Sequence, residues 1–186
     1  MIFSKLFKSK PAFAEEVQAL YIKIVEQSRN PVFYTDFEVA DSVEGRVDMI
    51  LLHAFVVMRR LKQGEEQTKE FAQSLYDLMF ADFDLNLREL GVGDMGLARR
   101  VPKMAEAFYG RITVYEDGLG AEDEDVQLKE ALDRNLYRKT PVSDESLQVM
   151  AQYLRREAKN LEETDIAALL KGELTFGKPP AGKATS

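Results

Sequence analysis

The chain has 186 residues, of which 45% are hydrophobic and 31% are charged, a balance that is typical of a folded domain rather than a disordered chain. It contains no cysteine and a single histidine, which excludes disulfides, cysteine nucleophiles and cysteine zinc sites. The formal net charge of −7 argues against a protein that mainly binds nucleic acid, because phosphate contacts require a basic surface.

The first ten residues, 1–10, carry three lysines among apolar residues such as Phe3 and Phe7. This pattern fits neither a secretory signal nor a membrane-spanning helix, which needs about 20 apolar residues. One interpretation is a flexible amphipathic segment that touches a membrane surface. The other is a frayed tail that folds onto the body of the protein.

Apolar residues recur at three- and four-residue spacing along most of the chain, and this period predicts an all-α fold. Glycine, proline and acidic segments divide the pattern into about seven helices within one compact domain, 11–176. The predicted helices span approximately 11–29, 41–63, 66–90, 94–116, 126–138, 143–154 and 164–171. A segment with two prolines and two glycines, 177–186, is predicted to be a disordered tail.

The second predicted helix is apolar on most of its sides over about 43–62. A helix of this kind is buried, so we expect it to form the centre of the fold. Asp41 and Glu44 resemble a capping box at its start. In the fourth predicted helix, Pro102 predicts a kink or a break, because proline lacks the backbone donor that the helix needs.

The segment at 32–41 predicts an extended connector, because an Asn-Pro pair ends the first helix just before it. Three aromatic residues in this connector, Phe33, Tyr34 and Phe37, are expected to insert into the body of the protein.

The sequence offers little that could carry out catalysis. His53 lies in the middle of the apolar second helix, where a lone histidine is more often a hydrogen-bonded core residue than a haem or metal ligand. Asp82 to Asn86 begins like a calcium loop, but Leu87 stands at the position that requires glycine. The glycine-rich stretch 91–96 follows a helix and not a strand, unlike a phosphate loop. We therefore predict no catalytic residue, no metal site and no cofactor.

A basic cluster in this acidic chain has two interpretations, a solvated helix face or a patch that binds a partner. Arginine and tyrosine are favoured at protein interfaces, which supports the second. The predicted partner-binding residues on the helices are Arg46, Arg99, Arg100, Lys103, Tyr109 and Arg111. The connector residues Phe33, Tyr34 and Phe37 are expected to complete a cleft with an apolar floor and a charged rim.

Three stretches taken together resemble the ubiquinol–cytochrome c chaperone family, the assembly factors for cytochrome b of the respiratory bc1 complex. They are GRVDM…LH…RRL within 45–61, FADFD…LRELGVGD within 80–94, and VPKMAEAFYGR at 101–111. The resemblance covers roughly residues 30–140. It implies a non-catalytic chaperone that holds newly made cytochrome b, near the ribosome exit and the membrane surface, until haem and partner subunits are in place.

Mitochondrial members of that family carry a targeting segment and often a membrane anchor, and we expect neither in this chain. It therefore resembles the short bacterial members, and we expect a cytoplasmic protein that is peripheral at the inner membrane, with no specific nucleic-acid partner.

One alternative is a helical enzyme of prenyl or lipid type, for which Asp77, Asp82 and Asp84 are the only candidate metal ligands. Another is a plain oligomerisation or scaffold module. The oligomeric state stays open.

Overall fold

The computed structural model describes residues 13–64 and 66–182. The predicted membrane-touching segment, 1–10, lies outside these described residues. Within them the protein is all-α, with eight helices and no strand, and it contains the seven predicted helices together with one short addition, α2. The helices are α1 (Ala14–Ser28), α2 (Val32–Thr35), α3 (Val43–Lys62), α4 (Glu66–Glu89), α5 (Asp94–Gly120), α6 (Val126–Asn135), α7 (Asp144–Glu162) and α8 (Ile166–Leu169).

Helix α3 is the buried centre of the fold, as its apolar pattern predicts. It packs against α1, α4, α7 and α8, while α5 packs against α4 and α6. More than half of its residues are buried, including the fully buried Met49, Leu52 and Phe55. Truncating a core leucine of this kind to alanine costs about 2–5 kcal/mol, so α3 supplies much of the stability.

The start of α3 is fixed by a cap and by a close backbone approach. Ser42, and not Asp41, is the N-cap, and its side chain accepts a hydrogen bond from the Gly45 amide at 3.1 Å. A Cβ atom at Gly45 would lie 2.0 Å from the carbonyl oxygen of Ala40, so this position admits only glycine without a backbone shift.

The prediction of an extended connector at 32–41 is wrong. Pro31 precedes the short helix α2, because its fixed φ is compatible with the start of a helix. The resulting turn buries Phe33 and Phe37 completely in the core, and the hydroxyl of Tyr34 donates to the Ser28 carbonyl at 2.7 Å. The expectation that these aromatic residues insert into the body is therefore confirmed for both phenylalanines.

Helix α5 is continuous through Pro102, so of the two predicted alternatives, a kink or a break, the break is wrong. Its N-cap is Gly93, and the helix continues past Glu116 to Gly120. Packing explains this extension, because a Cβ atom at Gly118 would lie only 2.8 Å from the Cα atom of Leu128 in α6. The close contact with α6 keeps the acidic end of α5 helical.

The chain after α8 returns across α7 and α1. The Gly177 amide donates to Glu157 Oε2 at 2.8 Å, and the Gly177 carbonyl accepts from Gln27 Nε2 at 3.0 Å. Arg156 also donates to the carbonyl of Lys178. The first two residues of the predicted tail are therefore attached to the helical body.

A candidate protein-binding groove

Two adjacent cavities form one groove on the face between the first half of α3, the end of α4 and the first half of α5. The larger has a volume of about 350 Å³ and the smaller about 270 Å³. Both are lined by the same four apolar residues, Val43, Val47, Leu87 and Met104, which form the floor of the groove. The two cavities are therefore parts of a single continuous surface.

The floor of the groove exposes apolar surface that no other part of the described chain covers. Val43 is 45% exposed, and Leu90 at the edge of the smaller cavity is 61% exposed. Apolar residues gathered in a concave, solvent-facing surface with a polar rim are typical of a site that binds another molecule.

Cations stand on the rim of both cavities, and they outnumber the carboxylates at the larger one. Arg100, Lys103, Arg111 and Arg138 line the larger cavity, and Arg29 and Arg46 line the smaller one. Arg100 and Lys103 are exposed and form no ion pair within residues 13–64 and 66–182. The groove therefore presents unpaired positive charge on a protein whose net charge is −7.

A buried carboxylate holds the walls of the larger cavity together. Asp48 in α3 is 1% exposed, and its Oδ1 lies 2.7 Å from Nη2 of Arg111 in α5. Arg138, just after α6, donates to the same carboxylate from Nε at 2.5 Å and from Nη2 at 3.0 Å. Asp48 thus joins α3 to α5 and to the segment after α6, and the hydrogen bond raises the pKa of Arg138.

The position of Arg138 depends on an uncommon backbone conformation. Its φ is 54° and that of Lys139 is 60°, in the left-handed region that residues other than glycine seldom adopt. The Lys139 amide donates to the Asp133 carbonyl at 2.9 Å, which holds this turn. The turn directs Arg138 back to Asp48 and leaves half of its side chain exposed.

The structure brings four of the predicted partner-binding residues to the groove, namely Arg46, Arg100, Lys103 and Arg111. Arg111 is buried against Asp48, so its role is to support the groove wall and not to form a free contact. Arg46 pairs with Asp41 at 2.7 Å, and its guanidinium lies 5.7 Å from the Tyr34 ring centre.

The remaining predicted residues lie elsewhere. Arg99 is exposed but does not line either cavity of the groove. Tyr109 lines a separate cavity of about 290 Å³ between the end of α3, α4 and α5, where its ring centre is 5.7 Å from that of Tyr76. Phe33 and Phe37 are core residues, because the turn at α2 buries them, and their side chains are not available to a partner in this conformation.

The sequence analysis did not assign most residues of the groove to a binding site, among them the four floor residues Val43, Val47, Leu87 and Met104 and the cation Arg138. The apolar ones belong to helical stripes that predict core packing, and no local signal separates them from core residues. The buried Asp48 is the one available signal for Arg138, because a carboxylate within an apolar helix requires a charged or hydrogen-bonding partner.

His53 is a hydrogen-bonded core residue, as its position in α3 predicts. It is 1% exposed; its Nδ1 lies 2.8 Å from the Met49 carbonyl oxygen, and its Nε2 lies 2.7 Å from the Tyr153 hydroxyl. Gln27 Nε2 donates to that hydroxyl at 2.8 Å. Burial lowers the pKa of His53 from 6.5 to about 4, so the ring is neutral at pH 7.

The described part of the chain contains no cluster of three or more histidine, cysteine, aspartate or glutamate residues that could hold a metal ion. Within the same residues, none of the helices combines the length and the hydropathy that crossing a membrane requires.

A concave surface with an apolar floor and exposed cations at its rim is typical of proteins that bind another molecule. Residues 35–176 match the model of the family described as ubiquinol-cytochrome C chaperone, and the chain belongs to this family. The matched region includes nearly every residue that lines the groove.

The chain is 25% identical over 158 residues to ubiquinol-cytochrome-c reductase complex assembly factor 1 of Xenopus laevis, covering 84% of this chain and 78% of that protein. The mouse and human proteins of that name are 23% identical, and the match covers 53% and 52% of their lengths. The chain thus spans about half of these two relatives. The crystal structure of the Cbp3 homolog from Brucella abortus is similar, with a TM-score of 0.81, 32% identity, and coverage of 92% of this chain and 94% of that one.

Proposed function

We propose that this protein is an assembly chaperone of ubiquinol–cytochrome c reductase, the bc1 complex, and that it binds newly made cytochrome b. The names of the Xenopus, mouse and human relatives support the role in assembly, because each is an assembly factor of that complex. Membership of a chaperone family supports an action by binding without catalysis.

The groove is the observation that carries the proposal. Cytochrome b is a bundle of apolar helices joined by charged loops, so a protein that holds it needs exposed apolar surface beside fixed charges. The floor formed by Val43, Val47, Leu87 and Met104 supplies the first, and Arg100 and Lys103 supply the second. An apolar segment of cytochrome b that lies on this floor is kept from associating with other apolar segments.

The proposal includes the place of action. Newly made cytochrome b emerges at a ribosome beside the membrane, so a holder for it works peripherally at the inner membrane, on the cytoplasmic side. Contact with the ribosome or with the membrane surface then brings the groove close to its client. Haem and partner subunits release cytochrome b when they cover the apolar surface that the groove holds.

Site-specific photo-crosslinking in the native host tests the proposed function. A photoreactive phenylalanine analogue replaces Leu90, which is 61% exposed at the groove, or Val126, which is 49% exposed at the start of α6 and outside the groove. We expect crosslinks to cytochrome b from position 90 and few from position 126. Absence of cytochrome b from both sets of products contradicts the proposed function, and equal crosslinking from the two positions contradicts the assignment to the groove.

A further inference from the structure

We propose that the groove recognises a short amphipathic helix of its protein partner, with acidic residues at the end that lies in the larger cavity. This inference rests on the proposed function, since it describes the kind of segment that the chaperone holds. It specifies the chemistry of that segment: apolar side chains on the groove floor and carboxylates beside Arg100 and Lys103.

The dimensions of the groove fit two to three turns of helix. The residues that line it on α3 extend from Val43 to Leu51, and those on α5 extend from Arg100 to Arg111. At a rise of 1.5 Å per residue these stretches are about 12 Å and about 16 Å long. An amphipathic helix that lies in such a groove presents apolar anchors at positions i, i+4 and i+7, which span a similar length.

The charges of the two cavities differ, and this difference orients the bound segment. Four cations and two carboxylates, Glu44 and Asp48, line the larger cavity, and Asp48 is already paired with Arg111 and Arg138. The smaller cavity has two cations and two carboxylates, which balance each other. Carboxylates on the partner are therefore favoured at the larger cavity alone.

A helix with acidic residues at one end matches the charges of the groove better than an anionic lipid surface does. Asp82 and Glu89 line the smaller cavity, and Arg88 beside it is already paired with Asp84 and Asp94. An anionic membrane would place negative headgroups against these carboxylates as well as against the cations, and like charges repel. A helix with acidic residues at one end places its negative charge only where Arg100 and Lys103 are unpaired.

The test uses two labelled peptides of about 14 residues, a length of about 21 Å when helical. They share leucines at i, i+4, i+7 and i+11 and differ only in three positions at one end, which hold glutamate or lysine. Fluorescence anisotropy measures their affinities for the full chain and for two double variants. These are Arg100→Glu/Lys103→Glu in the groove, and the control Lys159→Glu/Lys171→Glu, whose residues are exposed outside it. Both variants change the net charge equally.

We expect the wild-type chain and the control variant to bind the glutamate peptide about tenfold more tightly than the lysine peptide. The groove variant should reverse this preference. Every protein variant is tested with the same two peptides, so differences in the helical content of the peptides cancel when their affinity ratios are compared between variants. Arg100→Gln/Lys103→Gln should remove the preference without reversing it, and thermal unfolding followed by circular dichroism checks that each variant folds.

Equal affinity of the wild-type chain for both peptides, or an unchanged preference in the groove variant, overturns the inference. A further arm uses phosphatidylcholine vesicles with and without about 30% phosphatidylglycerol. Binding to the anionic vesicles that depends on Arg100 and Lys103, with no peptide preference, would assign these residues to lipid instead. Crosslinking of cytochrome b from position 90 is measured separately, so its persistence in that case leaves the proposed function standing while this inference fails.

Discussion

His53 and Tyr153 are joined by a buried hydrogen bond of 2.7 Å between Nε2 and the phenol oxygen, although they are 100 residues apart in the chain. The bond links the central helix α3 to α7. A carbonyl oxygen can only accept, so Nδ1 donates to the Met49 carbonyl; in the neutral ring Nε2 then accepts from the tyrosine hydroxyl, which in turn accepts from Gln27. This chain of donors and acceptors is complete only when the imidazole is neutral.

The first prediction concerns the pH dependence of stability. The pKa of His53 is lowered to about 4 in the folded protein, against 6.5 in the unfolded chain. The unfolded chain therefore takes up the proton first, and stability present above pH 6.5 is lost as the pH falls towards 4. At pH 5 this loss is about 2 kcal/mol. Urea denaturation at pH 7 and pH 5 should show it in the wild-type chain.

His53→Gln is the matched control for this prediction, because glutamine does not titrate. It should cost about 1–3 kcal/mol at pH 7, since a buried hydrogen-bonding group is replaced, and leave partner binding intact. The difference in stability between the two proteins should become smaller at pH 5. Parallel losses in both proteins would show that His53 does not determine this part of the pH profile.

The second prediction separates Arg111 from the exposed cations of the rim. Arg111→Glu places a carboxylate against the buried Asp48, and it should destabilise the protein by about 3–5 kcal/mol. Arg138→Gln should cost less, because half of the Arg138 side chain is exposed. Equilibrium denaturation measures both values. An Arg111→Glu variant as stable as the wild-type chain would contradict the supporting role of the Asp48 ion pairs.

The third prediction concerns capture of cytochrome b from the native host. Arg100→Glu/Lys103→Glu should weaken capture several-fold and leave stability within about 0.5 kcal/mol, because both side chains are exposed and unpaired. Wild-type capture should also fall with added salt, since charges at a rim are screened. Quantitative affinity purification measures both effects.

The acidic segment after α5 provides the contrast for capture. Glu122, Asp123 and Glu124 lie outside the groove, and changing them to serine should leave capture unaltered. Because the basic and the acidic variants change the net charge in opposite directions, a gain of capture in the acidic variant that mirrors the loss in the basic one would mean that net charge matters and that the groove does not.

The fourth prediction compares two glycines in helices. Gly45→Ala should destabilise the protein by more than about 2 kcal/mol, because the new Cβ atom would lie 2.0 Å from the Ala40 carbonyl oxygen. Gly110→Ala in α5 meets no atom within 4 Å and should stabilise it by up to about 1 kcal/mol. Thermal unfolding of the two variants gives the comparison. Similar shifts in Tm would show that the start of α3 tolerates a side chain.

Helical period is a local property, and for that reason the sequence predicts the helices well. The apolar residues on most sides of α3 likewise predict its central position and the buried state of His53. The groove depends on which residues meet from distant parts of the chain, and a single sequence carries little of that information. Arg111 shows the difference, because its charge suggests exposure whereas Asp48, 63 positions earlier, draws it into the interior.

The shared carboxylate of Asp48 gives the groove a fixed width. If α5 moved away from α3, Asp48 would be left in the interior with fewer of its counter-charges, a state that costs several kcal/mol. The groove therefore has its shape before a partner binds, and it does not adapt its shape to the partner. A rigid receptor loses little conformational entropy on association, so it selects clients by their fit to a constant shape.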